Sequence, residues 1–401
     1  MVQLMLNGFG GDARKSAGIS SAAAKAHGVE CYHVNARVSK ELDDIGGVRI
    51  GKLLLLLRYC AEAIWCRFRY GVTTFYYIPA PGKRSALYRD WLVMLFCRPF
   101  FRKVILHWHA AGLAHWLETH EQMRTRVITF SQMREVDLSI VVADYNRADP
   151  AKLMAKKIRV VYNGIPDPCP DFDQSVRPRR EARLAARRKL AEGGTLGLGD
   201  LAQTGRDPQV FKVLYLAHCT RQKGVFDALA GFFRAREILR ATGSALSLQL
   251  TVAGSFTNQE EQSEFNRLVV AADCVEAVSQ VGFVAGAAKL AVLREADVFC
   301  FPTYHYAESF GLVLAEALAF GLPILTTQWR ALPEVLPPGY PGLVPIRAPE
   351  QIAKVLLTRI FDDSFLASRR HFESNFTIEK HLDRLSAAIR SVDTDQGAAA
   401  L

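Results

Sequence analysis

Short apolar runs alternate with longer amphipathic stretches along most of the chain, which predicts strands followed by helices. Val2–Leu6 reads as an opening strand, followed by the loop Asn7-Gly8-Phe9-Gly10-Gly11 and a helix through Ala26. Further strands are predicted at Val29–Val34, Thr73–Ile78, Lys103–His107, Leu138–Val142 and Ile158–Tyr162, with helices over Lys52–Phe68 and Leu87–Phe96. Turn and proline signals break the rhythm at Asn163–Pro168. Beyond them Arg177–Arg188 is strongly basic and Gly193–Asp207 is glycine-rich and weakly periodic. That stretch reads as a linker carrying a peripheral helix and a disordered loop. Alternation resumes at Val213–Leu216, Leu248–Ala253, Ala277–Val281, Val298–Phe301 and Ile324–Thr327. The pattern predicts an α/β chain with two parallel-sheet domains.

One segment departs from ordinary packing. From Ser309 through Trp329 the only charged residue is Glu316, and Glu308 precedes it by seven intervening residues. A carboxylate in so apolar a setting is costly unless something specific meets it. Gly311–Phe320 reads as a helix between two buried strands, stopped by Gly321 and Pro323. Glu308 then lies in the loop before the helix and Glu316 inside it, while the amides of Phe310, Gly311 and Leu312 form a ready anion site. The plainer alternative is that Glu308 complements the helix dipole and Glu316 pairs with a core arginine.

Composition narrows the picture. A chain of 401 residues, half of them hydrophobic, is a globular protein with room for two or three cores. A net charge of +10 implies attraction to something acidic: nucleic acid, phosphorylated ligands or an anionic membrane face. The eight cysteines show no CxxC or zinc spacing and suit a reducing compartment. No signal-peptide order stands at the start, and no aliphatic run is long enough to span a bilayer. A cytoplasmic location is expected. Charge alone supports no nucleic-acid binding, for which no motif is present.

The second domain's first strand leads into His218-Cys219-Thr220-Arg221-Gln222-Lys223-Gly224. A Lys and an Arg leaving that strand can reach a diphosphate held at the later helix, one as a point charge and one as a fork. With these residues in view, TYHYAESFGLVLAEALAFGLPILTT, RQKGVFDAL upstream and VYNGI at the domain boundary resemble the retaining nucleotide-sugar glycosyltransferases of the GT-B fold. Specifically, they are similar to the large family (family 4 type) with two glutamates separated by seven residues. The resemblance covers most of the second domain and, more loosely, the first. It implies two facing Rossmann-like βα domains: residues 1–165 on the acceptor side, completed by a C-terminal helix from about 376–392, and 211–375 binding the nucleotide sugar. Residues 166–210 are the linker and basic, glycine-rich insert.

The resemblance also implies roles. Glu308 would bond donor-sugar hydroxyls and Glu316 the ribose hydroxyls, while Lys223 and Arg221 would hold the pyrophosphate. Ser309 would join the donor-binding residues, the amides of Phe310, Gly311 and Leu312 would face the leaving group, and backbone at Gly282-Phe283-Val284 would line the base pocket. Gly10 and Gly11 would let the first domain approach the diphosphate. His109, in His107-Trp108-His109-Ala110-Ala111-Gly112, matches the family's histidine near the donor sugar and acceptor. One departure stands at His218, where many members have an arginine five residues before the lysine.

The implied activity is hexosyl transfer with retention from a nucleoside-diphosphate sugar to a hydroxyl acceptor, such as a lipid-linked glycan in surface polysaccharide synthesis. No cofactor or metal is required, since Lys, Arg and helix amides neutralise the leaving group. Rival readings are weaker. Asp171-Phe172-Asp173 and Asp393-Thr394-Asp395 match an Asp-x-Asp metal motif, but one lies in the linker and one in the tail. Gly8-Phe9-Gly10-Gly11-Asp12-Ala13 fits a dinucleotide-binding loop of an NAD-dependent oxidoreductase, yet Val34-Asn35 stands where the acid is expected. A sugar-nucleotide epimerase on the same fold is the third. Finally, Lys83, Arg84, Arg89, Arg98, Arg102 and Lys103 interleave with Leu87, Tyr88, Trp91, Leu92, Leu95, Phe96, Phe100 and Phe101, a surface suited to an anionic membrane.

Overall fold

A computed structural model describes residues 2–6, 29–34, 50–80 and 82–392. Gly10, Gly11 and Asp393-Thr394-Asp395 lie outside them. The chain forms two compact units, Met1–Gly164 with Glu379–Leu401, and Ile165–Ile378.

Among the described residues, the first unit is a six-stranded, all-parallel sheet of β1 (Val2–Leu6), β2 (Glu30–Val34), β3 (Thr74–Tyr77), β4 (Lys103–Trp108), β5 (Leu138–Val141) and β6 (Ile158–Val160). Its order is β2-β1-β3-β4-β5-β6. The residues of β3 and β5 are buried throughout, Thr74 and Ser139 included, as strands of a doubly covered parallel sheet should be. Helices Ile50–Arg69 and Arg84–Cys97 pack one face through Leu56, Cys60, Leu87, Met94 and Cys97. The other face is closed by the C-terminal helix Ile378–Arg390, whose Leu385 and Ile389 meet Ile105 and Ile140.

The second unit carries β7 (Val210–Leu216), β8 (Ser247–Ala253), β9 (Val278–Gly282), β10 (Val298–Phe301), β11 (Ile324–Thr327) and β12 (Leu343–Val344). Their order is β12-β11-β10-β7-β8-β9, again all parallel. Connections therefore run one way from β7 through β8 to β9 and the other way from β10 onward. Such a reversal leaves a crevice at the carboxyl ends of the two central strands, where open α/β sheets bind ligands.

Residues 166–210 differ from the expected linker. They fold onto the second unit as helices Arg177–Ala191 and Leu198–Thr204. Arg180, Arg183 and Arg187 recur at helical spacing on one face, and all three are buried. Asp297, just before β10, accepts from Arg183 Nε at 3.2 Å, from Arg187 Nη2 at 2.8 Å and from Arg206. A basic face that looks solvated in sequence is internal because a distant carboxylate meets it.

Candidate functional site

The loops leaving β7 and β10, the strands flanking the reversal, are clasped together. The Gln222 carbonyl accepts from Tyr304 N at 2.8 Å and from Thr303 Oγ1 at 3.2 Å, and His305 Nδ1 lies 2.9 Å from Gln222 Oε1. Gly224 sits between them at φ 81°, and a Cβ there would stand 2.2 Å from the Pro302 carbonyl oxygen. Only glycine fits that position. Thr327, on β11, donates to the Thr303 carbonyl, and Trp329 Nε1 to that of His305 at 2.9 Å.

This framework brings Lys223 Nζ to 2.7 Å from Glu308 Oε2. The side chains are 21% and 11% exposed, so the pair is shielded yet reachable from solvent. Directly behind it helix Leu312–Ala319 begins at Gly311, at φ 73°. Phe310 is buried in the core, its ring 5.7 Å from that of Phe376, while Ser309 and Leu312 are half-buried.

Glu316, one turn into the helix, meets Lys289 Nζ at 2.6 Å. Its partner is thus a lysine rather than the core arginine of the plainer alternative. Lys289 escaped the sequence reading. It lies on helix Gly286–Glu295, which starts just beyond Gly282-Phe283-Val284. Gly282, at φ 69°, accepts from Gly254 N at 2.7 Å beside a register shift in the β8–β9 ladder; Phe283 is largely exposed and Val284 half-buried. The Lys289–Glu316 contact therefore links the segment leaving β9 to the helix behind Glu308.

Two expected phosphate ligands are arranged differently. Arg221 is turned onto Glu264, with Glu261 at 3.9 Å and the Phe226 ring 4.3 Å from its guanidinium carbon. A fork already engaged by two carboxylates is not at the Lys223–Glu308 pair. His218 is exposed, and its carbonyl accepts from Tyr215 Oη at 3.0 Å. The Asp-x-Asp pair at Asp171 and Asp173 is taken up by ion pairs, Asp171 with Arg294 at 2.9 Å and Asp173 with Arg177 at 3.0 Å.

In the first unit, His109 follows β4, its ring 4.2 Å from that of His107. His107 Nδ1 meets Tyr76 Oη, and His381 Nδ1 lies 2.7 Å from the Tyr162 carbonyl. Burial, with His381 adding to it, holds His109 down to about 4, so the imidazole is neutral near pH 7. Asp149, also unread in the sequence, fixes the small-residue loop by accepting from Gly112, Leu113 and Ala114 amides at 2.7, 3.2 and 2.9 Å. A buried carboxylate thus caps the helix that follows the loop.

The basic–aromatic surface is sorted by the fold. Leu87 and Phe101 are core, Trp91 and Leu92 pack against it, and Arg89 pairs with buried Asp90 at 2.6 Å. Lys103 Nζ donates to the Val392 carbonyl at 2.6 Å. Tyr88, Leu95, Phe96 and Phe100 remain exposed, joined by Trp65 and Phe68 of helix Ile50–Arg69 and by Tyr70 just beyond it. The Phe68 and Phe100 rings lie 6.2 Å apart, and Arg67 Nε donates to the Phe100 carbonyl at 2.9 Å. No helix among the described residues is long and apolar enough to cross a membrane.

Residues 200–393 match the model of the family described as glycosyl transferases group 1. The D-inositol 3-phosphate glycosyltransferase of Pseudarthrobacter chlorophenolicus is 31% identical over 140 residues, covering 35% of this chain and 32% of that protein. The phosphatidyl-myo-inositol mannosyltransferase of Mycobacterium leprae is 34% identical over 117 residues, 29% of each chain. The chain thus spans about a third of the length of the curated relatives it matches. Among solved structures, the Anabaena protein HepE in complex with UDP shares the fold across 97% of this chain and 99% of its own, with a TM-score of 0.63 at 14% identity. The two Rossmann-like units are those of the GT-B fold. Over residues 200–393, just under half of its length, the chain is similar to the glycosyl transferases group 1 family.

Proposed function

We propose that the protein is a retaining glycosyltransferase that moves a hexosyl unit from a nucleoside-diphosphate sugar to a hydroxyl acceptor. The observation that carries this reading is the Lys223–Glu308 pair at the reversal point of the second sheet, set against the N-terminus of helix Leu312–Ala319. An ammonium and fixed amide dipoles suit a diphosphate leaving group, whose charge grows as the glycosidic bond breaks. Glu308, released from Lys223 by the phosphate, accepts hydrogen bonds from sugar hydroxyls; Glu316 does so from the ribose, with Lys289 keeping it oriented. The pairing of Arg221 with Glu264 supports assigning the diphosphate to Lys223 instead. Gly282-Phe283-Val284 lies where the base is read, and neutral His109 is assigned to the sugar and acceptor as a hydrogen-bonding group. The acceptor hydroxyl attacks from the face the phosphate leaves, with that phosphate taking its proton. Orientation and charge stabilisation supply the rate.

Transfer assays on Glu308→Ala and Lys223→Ala test the assignment: turnover is lost while the unfolding temperature holds. Near-normal turnover in either purified variant sinks it. A thermal-shift screen of nucleotide sugars identifies the donor, since a ligand of the native state raises stability. NMR of the product anomer checks retention, and activity in excess EDTA checks independence from metal. Turnover without any acceptor would instead favour the epimerase.

The exposed Trp65, Phe68, Tyr70, Phe96 and Phe100, with Arg67, Arg69 and Arg102 beside them, favour a second element: peripheral attachment to an anionic membrane and a lipid-linked acceptor. Co-sedimentation with anionic but not neutral liposomes is expected. Failure to bind at any salt concentration ends that idea.

A further inference from the structure

The arginine cluster at the amino end of β10 holds more positive charge than its partners offset. Arg180, Arg183, Arg187 and Arg206 surround one buried carboxylate, Asp297; Glu295 is more than half exposed and is shared with Lys212. Guanidiniums do not shed their charge in proteins, and buried charge without a counter-charge is strongly unfavourable. Backbone carbonyls take part of the burden: Ala296 accepts from Arg180 Nη1 at 2.8 Å, Thr204 from Arg183 at 3.2 Å and Pro208 from Arg187 at 2.9 Å. Donors remain. Arg180 Nε and Nη2 and Arg359 Nε have no hydrogen-bond partner among the described residues, and both side chains are more than nine-tenths buried. These two arginines and Arg187 line one cavity of about 20 Å³, together with Phe211, Pro323 and the carboxylates Asp297 and Asp362, the latter paired with Arg359, so that three guanidiniums face two carboxylates there.

We propose that this cavity is a binding site for one monatomic anion, a halide such as chloride, held by Arg180 and Arg359. Volume selects the class: the cavity has room for a single water-sized particle, which excludes phosphate and sulfate. Charge selects between the remaining occupants. A water would bond the free donors but leave the excess charge, whereas a halide meets both. Burial, with Arg183 adding to it, presses Arg180 down to about 9, the direction an uncompensated cation takes. The site stands at the opposite end of β10 from the Lys223–Glu308 pair, so its occupant is not a substrate but a structural counter-ion locking helix Arg177–Ala191 to the sheet.

The test is thermal unfolding of the full chain in sodium chloride, bromide or gluconate at matched ionic strength, with bromide soaked into crystals for anomalous scattering. Chloride and bromide raise the unfolding temperature saturably, gluconate does not, and a bromide peak appears beside Arg180. Arg180→Met abolishes the halide effect while Lys223→Ala keeps it, which separates this site from a phosphate site occupied by halide. Should Arg180→Met not fold, Arg359→Met makes the same comparison and the wild-type titration stands by itself. Equal unfolding temperatures in chloride and gluconate overturn the proposal. So does a bromide peak without saturable stabilisation, the mark of an adventitious ion only.

Discussion

Asp297 and Glu308 flank the same strand, β10, and their surroundings differ in kind. Asp297 is 4% exposed and engaged by three guanidiniums and the Lys212 amide. Burial would raise its pKa, but Arg187, Arg206 and Arg183 more than reverse this and hold it well below the usual carboxylate range. Glu308 is 11% exposed and paired with a single lysine. The first carboxylate is saturated by the fold and has nothing left to offer a ligand. The second has a partner that an incoming phosphate can take over, which frees both groups to bind substrate. Charge at the amino end of the strand holds structure together, and charge at the carboxyl end is exchangeable.

Substitutions should separate the two ends. Asp297→Asn leaves Arg183, Arg187 and Arg206 without a buried counter-charge and is expected to cost about 3–5 kcal/mol. Chemical denaturation should show a lower midpoint, and an unchanged midpoint would refute the structural role. Glu308→Gln should do the reverse. Stability stays within about 1 kcal/mol, while transfer falls on the order of 10²–10³-fold, the loss seen when one preorganised group at a reacting centre is removed.

Gly224→Ala probes the joint between the loops. The left-handed backbone costs roughly 1–2 kcal/mol for a residue with a Cβ, before the clash with Pro302 is counted. Transfer should drop with stability, because Lys223 moves with the loop; calorimetry and assay together check this. Arg221→Ala is the smallest change. It removes an exposed pair with Glu264, worth about 0–1 kcal/mol, and should leave the donor KM nearly unchanged. A large rise in KM would return Arg221 to the phosphate site.

The histidines of the first unit make a neutral counterpart to both charged sites. Burial holds His107, His109 and His381 below the ordinary imidazole value, His109 to about 4. The unfolded chain, titrating near 6.5, binds more protons than the folded one below that pH. Their contribution to stability is therefore complete above about pH 6.5 and is lost as pH falls toward 4. Unfolding temperatures between pH 7 and 4.5 should decline, and less steeply in His109→Gln.

Much of this was legible in residue order. Val298–Phe301 and Ile324–Thr327 emerge as strands with those bounds, because short runs rich in β-branched and aromatic residues, one followed and one preceded by proline, permit little else. The Lys223 and Glu308 segments were legible as turn chemistry around an apolar helix. Arg177–Ala191 was not, although its Arg180, Arg183 and Arg187 repeat at core spacing. Arginine on a helix is ordinarily solvated, and the carboxylate that draws these inward lies more than a hundred residues on. Lys289 and Asp149 were hidden likewise, since a single charged residue carries no pattern until its partner is found in space.

By itself, then, the sequence determined the alternation of strands and helices and the two carboxylates set in an apolar segment, since periodicity and desolvation are local properties. The tertiary structure alone decided which charges pair. It joined Lys223 to Glu308 and Lys289 to Glu316, turned Arg221 away, and buried the arginines around Asp297, because pairing depends on strand order and the approach of loops far apart in the chain.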